Sequence, residues 1–292
     1  MITYRIATAL GPLRVVTDGL FRPGPPVVLL HGWTLSPWAW VALMPASIRT
    51  QHRWYALSLP GHLPGEAGTL SVSLTAEHLA TALAQALQDL VGDEPVHLVG
   101  HSLGGFWGLC LAVHRPERLV RLVLLSSFAD GRRVSLLQLT RRLAACEVGR
   151  RLFRIGYRWL MAHPARFRRL LARLSGRSEV WQDAVGQLFV ERVYSDAKRY
   201  RPEGLLQLAY AVAHLDVTKR MAAVSCPVLL MAGTKDPVVP VTHAHEMTNN
   251  LPKAHLKILP EIGHFPMIEA LHGTLDAMDS FLFAEGHSTA SL

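Results

Sequence analysis

Over the first 128 residues, short apolar runs alternate with longer stretches of helical spacing, and this alternation restricts the possible folds more than any other feature. Val27–Leu30, Trp54–Leu57, Val96–Val99 and Leu119–Leu125 are mostly apolar, too short for helices, and read as strands buried on both faces. Between them, Leu74 to Leu90 carries apolar residues at helical spacing behind a candidate N-cap, Ser73, and a second helix is expected from about Leu103 to His114. Tyr4–Thr8 and Leu13–Thr17 read as a hairpin turning through Gly11-Pro12. Strand and helix in alternation predict an α/β fold, a mostly parallel central sheet flanked by helices.

The rhythm breaks after Ser127. From Ser135 to about Leu215 the pattern is helical throughout, with Pro164 and Pro202 where first turns would begin. Strands resume at Val228–Met231 and Leu256–Leu259, and a last helix is expected from Met267 to Phe283. The expected organisation is a core of residues 1–128 and 221–285, an inserted all-helical cap at 129–220, and a flexible tail at 286–292.

Composition limits the class. Hydrophobic residues at 50% against 18% charged can fill a large core, which excludes a disordered or collagen-like chain. No run approaches the ~18 apolar residues of a membrane-spanning helix. Met1 to Arg5 does not open a secretory signal, so a soluble cytoplasmic protein is expected. Cys110, Cys146 and Cys226 are too few and too scattered for a disulfide framework or a zinc site, and neither metal nor cofactor is expected.

The chemistry centres on Gly100-His101-Ser102-Leu103-Gly104, a G-x-S-x-G between an expected strand and an expected helix. A serine on such a turn presents its hydroxyl clear of the sheet, and the glycines permit close backbone approach. Its base is expected to be His264, after the last strand, oriented by Asp236, after the strand before it; Asp130 is the next candidate acid. The oxyanion of an acyl-transfer intermediate needs two backbone donors, for which the amides of Leu103 and Trp33 are the candidates.

On these motifs the chain, from about residue 13 to 283, resembles α/β-hydrolases with a helical cap, whose triad runs in the order Ser102, Asp236, His264. His31-Gly32-Trp33-Thr34-Leu35 with Trp40 is similar to the carboxylesterases that cleave pimeloyl-carrier-protein methyl ester in biotin synthesis, and His114-Arg115-Pro116-Glu117-Arg118 is similar to a helix-ending segment of the wider family. One departure is Ser58-Leu59-Pro60-Gly61-His62-Leu63, where the family commonly has Asp-x-x-Gly-x-Gly. The resemblance implies a serine carboxylesterase acting on short-to-medium acyl esters, with thioester, lactone or carbon–carbon bond hydrolysis, or a non-catalytic ligand receptor, as alternatives. A serine nucleophile sets the chain apart from the dehalogenases and epoxide hydrolases of this fold, which attack with aspartate.

Net charge is +8, but residues 131–178 hold thirteen arginines and one acid, Glu147. That window is +12, leaving the rest of the chain at −4. Arg150, Arg151, Arg154, Arg158, Arg168, Arg169 and Arg173 lie on amphipathic patterns within it. They read either as the solvated outer face of cap helices or as a dock for an acidic partner: an acyl carrier protein, an anionic membrane face, or an acidic substrate. No recognition motif points to nucleic acid.

Overall fold

The computed structural model describes residues 1–65 and 74–283. Ser73 and the tail at 286–292 lie outside the described residues. The chain begins with β1 (Ile2–Ile6), β2 (Leu13–Thr17) and β3 (Val27–Leu30), followed by α1 (Trp38–Leu43), α2 (Ala46–Gln51) and β4 (Trp54–Leu57). Next come α3 (Ala76–Val91), β5 (Val96–His101), α4 (Leu103–His114) and β6 (Leu119–Leu125). These strands and two later ones, β7 (Val228–Gly233) and β8 (Ala254–Leu259), form one sheet in the order β1-β2-β4-β3-β5-β6-β7-β8. Along the order from β4 to β8 the strands are parallel, and the antiparallel pairings are β1 with β2 and β2 with β4.

Alternate residues of the central strands feed two cores. Val28, Leu30, Leu98, Leu122 and Leu124 pack on the side of α3 and α4, while Leu29, Val99, Val123 and Leu125 join Trp40 and Met278 on the other. The chain runs from β3 outward to β4, then returns past β3 to β5. The crevice at the C-terminal ends of β3 and β5 is therefore the place where such a sheet binds ligands.

Between β6 and β7 stand α5 (Ser135–Ala144), α6 (Glu147–Met161), α7 (Pro164–Arg173), α8 (Ala184–Ala197) and α9 (Pro202–Val212). The two crossings into and out of this segment are stitched together, Gly131 N–H donating to Leu215 O at 2.9 Å and Val217 N–H to Ala129 O at 3.0 Å. The chain ends with α10 (Thr242–Asn250), α11 (Pro266–Glu269) and α12 (Leu271–Phe283).

Several expectations shift. β1 runs from Ile2 to Ile6 rather than from Tyr4 to Thr8, because Ile2 still pairs with Thr17 while Thr8 is taken up by the hairpin turn, where it exchanges backbone hydrogen bonds with Gly11. The cap of α3 is Thr75, which accepts from His78 N–H while the His78 ring accepts from Thr75 N–H. The last helix is two pieces, broken at Ala270 where the backbone leaves helical geometry.

Gly104 lies inside α4, where alanine would ordinarily gain about 1 kcal/mol. A methyl there would sit 2.5 Å from His31 O and 2.6 Å from Leu30 O, backbone that cannot yield without moving β3. Gly104→Ala is expected to cost about 2 kcal/mol net. Gly156, in α6 with open space around it, is expected to gain up to about 1 kcal/mol as alanine. Urea unfolding midpoints check both, and the two shifts should have opposite signs.

Candidate active site

Ser102 sits on the turn from β5 into α4 with φ 53° and ψ −117°, a left-handed conformation that costs a non-glycine residue energy and that surrounding bonds must hold. Ser102 N–H donates to Leu125 O at 2.8 Å, and Ser127 Oγ–H donates to Ser102 O at 3.0 Å. The hydroxyl meets His264 Nε2 at 3.0 Å, and His264 Nδ1–H donates to Asp236 Oδ2 at 2.8 Å. All three side chains are buried. The geometry thus brings together three residues that lie 28 to 162 positions apart.

Asp236 is fixed in turn. Its Oδ1 accepts from Val238 N–H and Val239 N–H at 2.8 and 2.9 Å. Burial alone would raise its pKa, but the charge of His264, the His264 hydrogen bond and these two amides together hold the carboxyl below its ordinary value. Asp130, the other candidate acid, instead forms an ion pair with Arg132 at 2.8 Å.

Leu103 is the first residue of α4, so its N–H precedes the helix ladder. Trp33 lies in a turn closed by Leu35 N–H to Gly32 O at 3.1 Å, with Thr34 at φ 64°. Gly32 lets this turn approach the serine: a methyl there would lie 3.4 Å from Ser102 Cβ and 2.6 Å from His101 Nδ1. Among the described residues, no protein acceptor takes the amide of either Leu103 or Trp33. The Trp33 indole is committed elsewhere, donating to Leu205 O in α9 at 3.1 Å. Trp40 is buried in the core, in the cluster that holds Leu35 and has Trp33 packed against it.

Three buried histidines brace these loops, and sequence reasoning gave none of them a role. Leu59 N–H donates to His31 Nε2 and Thr34 N–H to His62 Nε2, both at 3.2 Å, which places the ring proton on Nδ1 in each; those nitrogens donate to Gly32 O and Pro60 O. His101 Nε2–H donates to His264 O at 2.8 Å. Burial pushes all three down: His31 well below its ordinary value, helped by nearby His62; His62 to about 4; and His101 to about 3, with His264 adding to the effect. The departure at Ser58 is likewise structural, since Ser58 Oγ accepts from Arg14 N–H at 2.9 Å.

Glu269 is the larger omission. Its buried carboxylate accepts four backbone N–H groups: Gly176 at 2.7 Å, Arg177 at 2.9 Å, Gly263 at 2.9 Å and Phe265 at 3.0 Å. It thereby ties the residues on both sides of His264 to the segment after α7, and His264 N–H itself donates to Leu174 O at 2.9 Å. A lone acid in the apolar stretch Pro266-Met267-Ile268-Glu269-Ala270-Leu271 was the available signal.

Above Ser102 and His264 opens a cavity of about 370 Å³. α5, α6 and α7 supply most of its wall, including Leu137, Leu143, Leu160, Leu170 and Leu171, and Ser102, His101 and His264 are among its few polar residues, with Thr34, Thr140 and Tyr157. A second hollow of about 440 Å³ between α5, α6 and α9 shares Phe153 but touches none of Ser102, Asp236 and His264. Of the seven arginines singled out above, Arg150 and Arg151 pair with Glu147 and Arg154 with Glu203. Arg158, Arg168, Arg169 and Arg173 have no carboxylate within ion-pair distance among the described residues.

Parallel sheet, strained serine turn, and histidine and carboxylate on successive later loops define an α/β-hydrolase architecture. A family model described as alpha/beta hydrolase fold matches residues 25–271, and the chain belongs to that family. It is 30% identical over 262 residues to the dihydrolipoyllysine-residue acetyltransferase component of the acetoin cleaving system of Pseudomonas putida, covering 89% of this chain and 64% of that protein. It is 28% identical over 230 residues to a Caulobacter protein named for carbamate hydrolysis, covering 75% and 78% of the two chains. With a pimeloyl-[acyl-carrier protein] methyl ester esterase of Aromatoleum aromaticum it shares 29% over 251 residues, 84% and 92% of the two. A thermophilic esterase from Thermogutta terrifontis superposes with a TM-score of 0.74 over 97% and 98% of the chains at 23% identity, a likeness of fold.

The buried histidines set a pH dependence of stability. Their folded pKa values lie below that of an unfolded histidine, near 6.5. Between about pH 6.5 and 4 the unfolded chain takes up protons that the native state refuses, so stability present above 6.5 is lost as pH falls. For His62 alone the loss by pH 4 is on the order of 3 kcal/mol, at about 1.4 kcal/mol per unit. Asp236 adds to acid destabilisation only below about 3.8. Urea midpoints measured from pH 7.5 to 4.5 should decline steadily, and His62→Gln should flatten part of the slope. A midpoint unchanged to pH 4.5 would contradict the neutral-histidine account.

Proposed function

We propose that the protein is a serine carboxylesterase for short-to-medium acyl esters, with α5, α6 and α7 acting as a cap over the acyl chain. The observation that carries this reading is the Ser102–His264–Asp236 relay at the floor of a largely apolar cavity. As Ser102 Oγ attacks the ester carbon, His264 Nε2 takes its proton. Asp236 holds the ring in the tautomer that leaves Nε2 bare and stabilises the imidazolium that forms. The amides of Leu103 and Trp33 donate to the developing oxyanion, where charge appears only as the tetrahedral intermediate forms. His264 then gives the proton to the departing alkoxide, leaving an acyl-enzyme on Ser102. Water, deprotonated by the same nitrogen, releases the carboxylic acid and restores the serine.

The leucine-rich wall offers the acyl chain burial at about 0.8 kcal/mol per methylene, roughly fourfold in kcat/KM for each added carbon until the cavity is full. The names of the relatives support ester and carbamate carbonyls alike, so the assay panel holds both, with the carrier-linked pimeloyl methyl ester among the esters.

The test is a series of p-nitrophenyl esters of graded chain length. The expected profile climbs with each methylene and then falls. Ser102→Ala should lower kcat by about six orders of magnitude and Asp236→Asn by about four, with urea midpoints close to the parent's. A folded Ser102→Ala protein that hydrolyses these esters at near parental rate overturns the mechanism.

A further inference from the structure

α6 presents an apolar stripe to solvent. At 3.6 residues per turn, Val148, Leu152, Ile155 and Trp159 fall on one side of the helix, opposite Tyr157 and Met161, which face the core. The four are 57% to 67% exposed, and Leu139 on neighbouring α5 is 54% exposed. A run of exposed large apolar side chains extending over three turns marks a surface that meets something other than water.

Two features surround the stripe. Exposed arginines stand on α6 and α7: Arg158, Arg169 and Arg173 are without an acid partner among the described residues, and Arg166 lays its guanidinium 4.3 Å from the Trp159 ring centre while donating to Trp159 O. On the other flank, Phe153, Gly156 and Leu160 line the cavity above Ser102, and Leu139 and Leu152 belong both to the cavity lining and to the exposed surface. The rim of the cavity is therefore continuous with the stripe.

We propose that this face of α6, with the arginines of α6 and α7 beside it, docks on an anionic lipid surface and turns the cavity mouth toward acyl chains in the bilayer. Charge complementarity argues for that partner. Residues 131–178 carry +12 against −4 for the remainder, and although Arg132, Arg133 and Arg154 are paired with acids outside that segment, Arg158, Arg169 and Arg173 stay exposed and without a carboxylate partner among the described residues, so a negative surface attracts this side. Each arginine near such a surface strengthens binding roughly fivefold. Arginines alone would serve an acidic protein equally well; the apolar stripe with a tryptophan toward its end decides for lipid, because a bilayer interface accepts aliphatic side chains below its headgroups and an indole at their level. The docking stands apart from the esterase reading, and only the fate of the chains entering the cavity rests on it.

The test uses the full chain and no substrate: co-sedimentation with phosphatidylcholine vesicles, with and without phosphatidylglycerol. Binding to the anionic vesicles should be at least tenfold tighter than to the neutral ones and should weaken with salt. Ile155→Ser with Trp159→Ser should weaken it by at least tenfold, and Arg158→Glu with Arg169→Glu should remove the anionic preference. Neither pair should change kcat/KM on a short soluble p-nitrophenyl ester. Absence of vesicle binding, or binding indifferent to the apolar pair, overturns the proposal. So does saturable binding to an acyl carrier protein in place of vesicles, sensitive to the charge reversals but not to the apolar pair. Because binding is read without turnover, a failed esterase assay and a failed docking assay are distinguishable.

Discussion

The turn at Ser102 is the constraint on which the rest of the site depends. A serine at φ 53° is held there only because its N–H is claimed by β6 and its carbonyl by Ser127, and because α4 begins close against β3. That contact exists because residue 104 lacks a side chain; its Cα faces the carbonyls of Leu30 and His31. The same closeness brings the Trp33 turn beside Ser102. Strain of about 1–3 kcal/mol at one residue is offset by packing spread over two strands and a helix, and the result is a hydroxyl aimed out of the sheet with two unclaimed amides near it.

The histidine side of the site is held by a different device. His264 belongs to a loop whose backbone N–H groups at 263 and 265 end on Glu269, and the same carboxylate takes the amides of Gly176 and Arg177 from the helical segment. Hydrogen bonds to a charged acceptor are worth about twice neutral ones, so this one side chain couples the position of the base to the position of α7. One carboxylate thus holds both the His264 loop and the segment that follows α7 in the cavity wall. Neutral His31 and His62 complete the bracing with bonds that a charged imidazole could not make in full, since the Nε2 acceptor of each would be lost on protonation, and His101 adds its donation to His264 O.

Much of this was legible in the sequence. Strands β2, β3, β4 and β6 begin and end where their apolar runs do, because flanking Gly, Pro and polar residues punctuate them. Ser102, Asp236 and His264 could be named because each follows an identifiable strand, and the distances bring them together. Helices α1 and α2 were not legible: six residues each, under two turns, leave no periodicity to read. The break at Ala270 was hidden for another reason: neither Gly nor Pro marks it, and it adjoins Glu269, whose amide partners only the folded chain brings near. Among the arginines, the pairing of Arg150 and Arg151 with Glu147 is local in sequence, whereas that of Arg154 with Glu203 depends on α6 lying against α9.

The proposed function rests on one chemical centre, a serine hydroxyl activated by His264 in a buried, largely apolar setting. The most direct measurement of that claim is covalent. A fluorophosphonate reacts with a serine that has an aligned base and oxyanion donors and leaves ordinary serines alone, so digestion and mass spectrometry of the treated protein locate the adduct. The account predicts stoichiometric labelling confined to the peptide carrying Ser102, lost when the protein is unfolded before treatment. Labelling at another residue, or none by the folded protein, would contradict it.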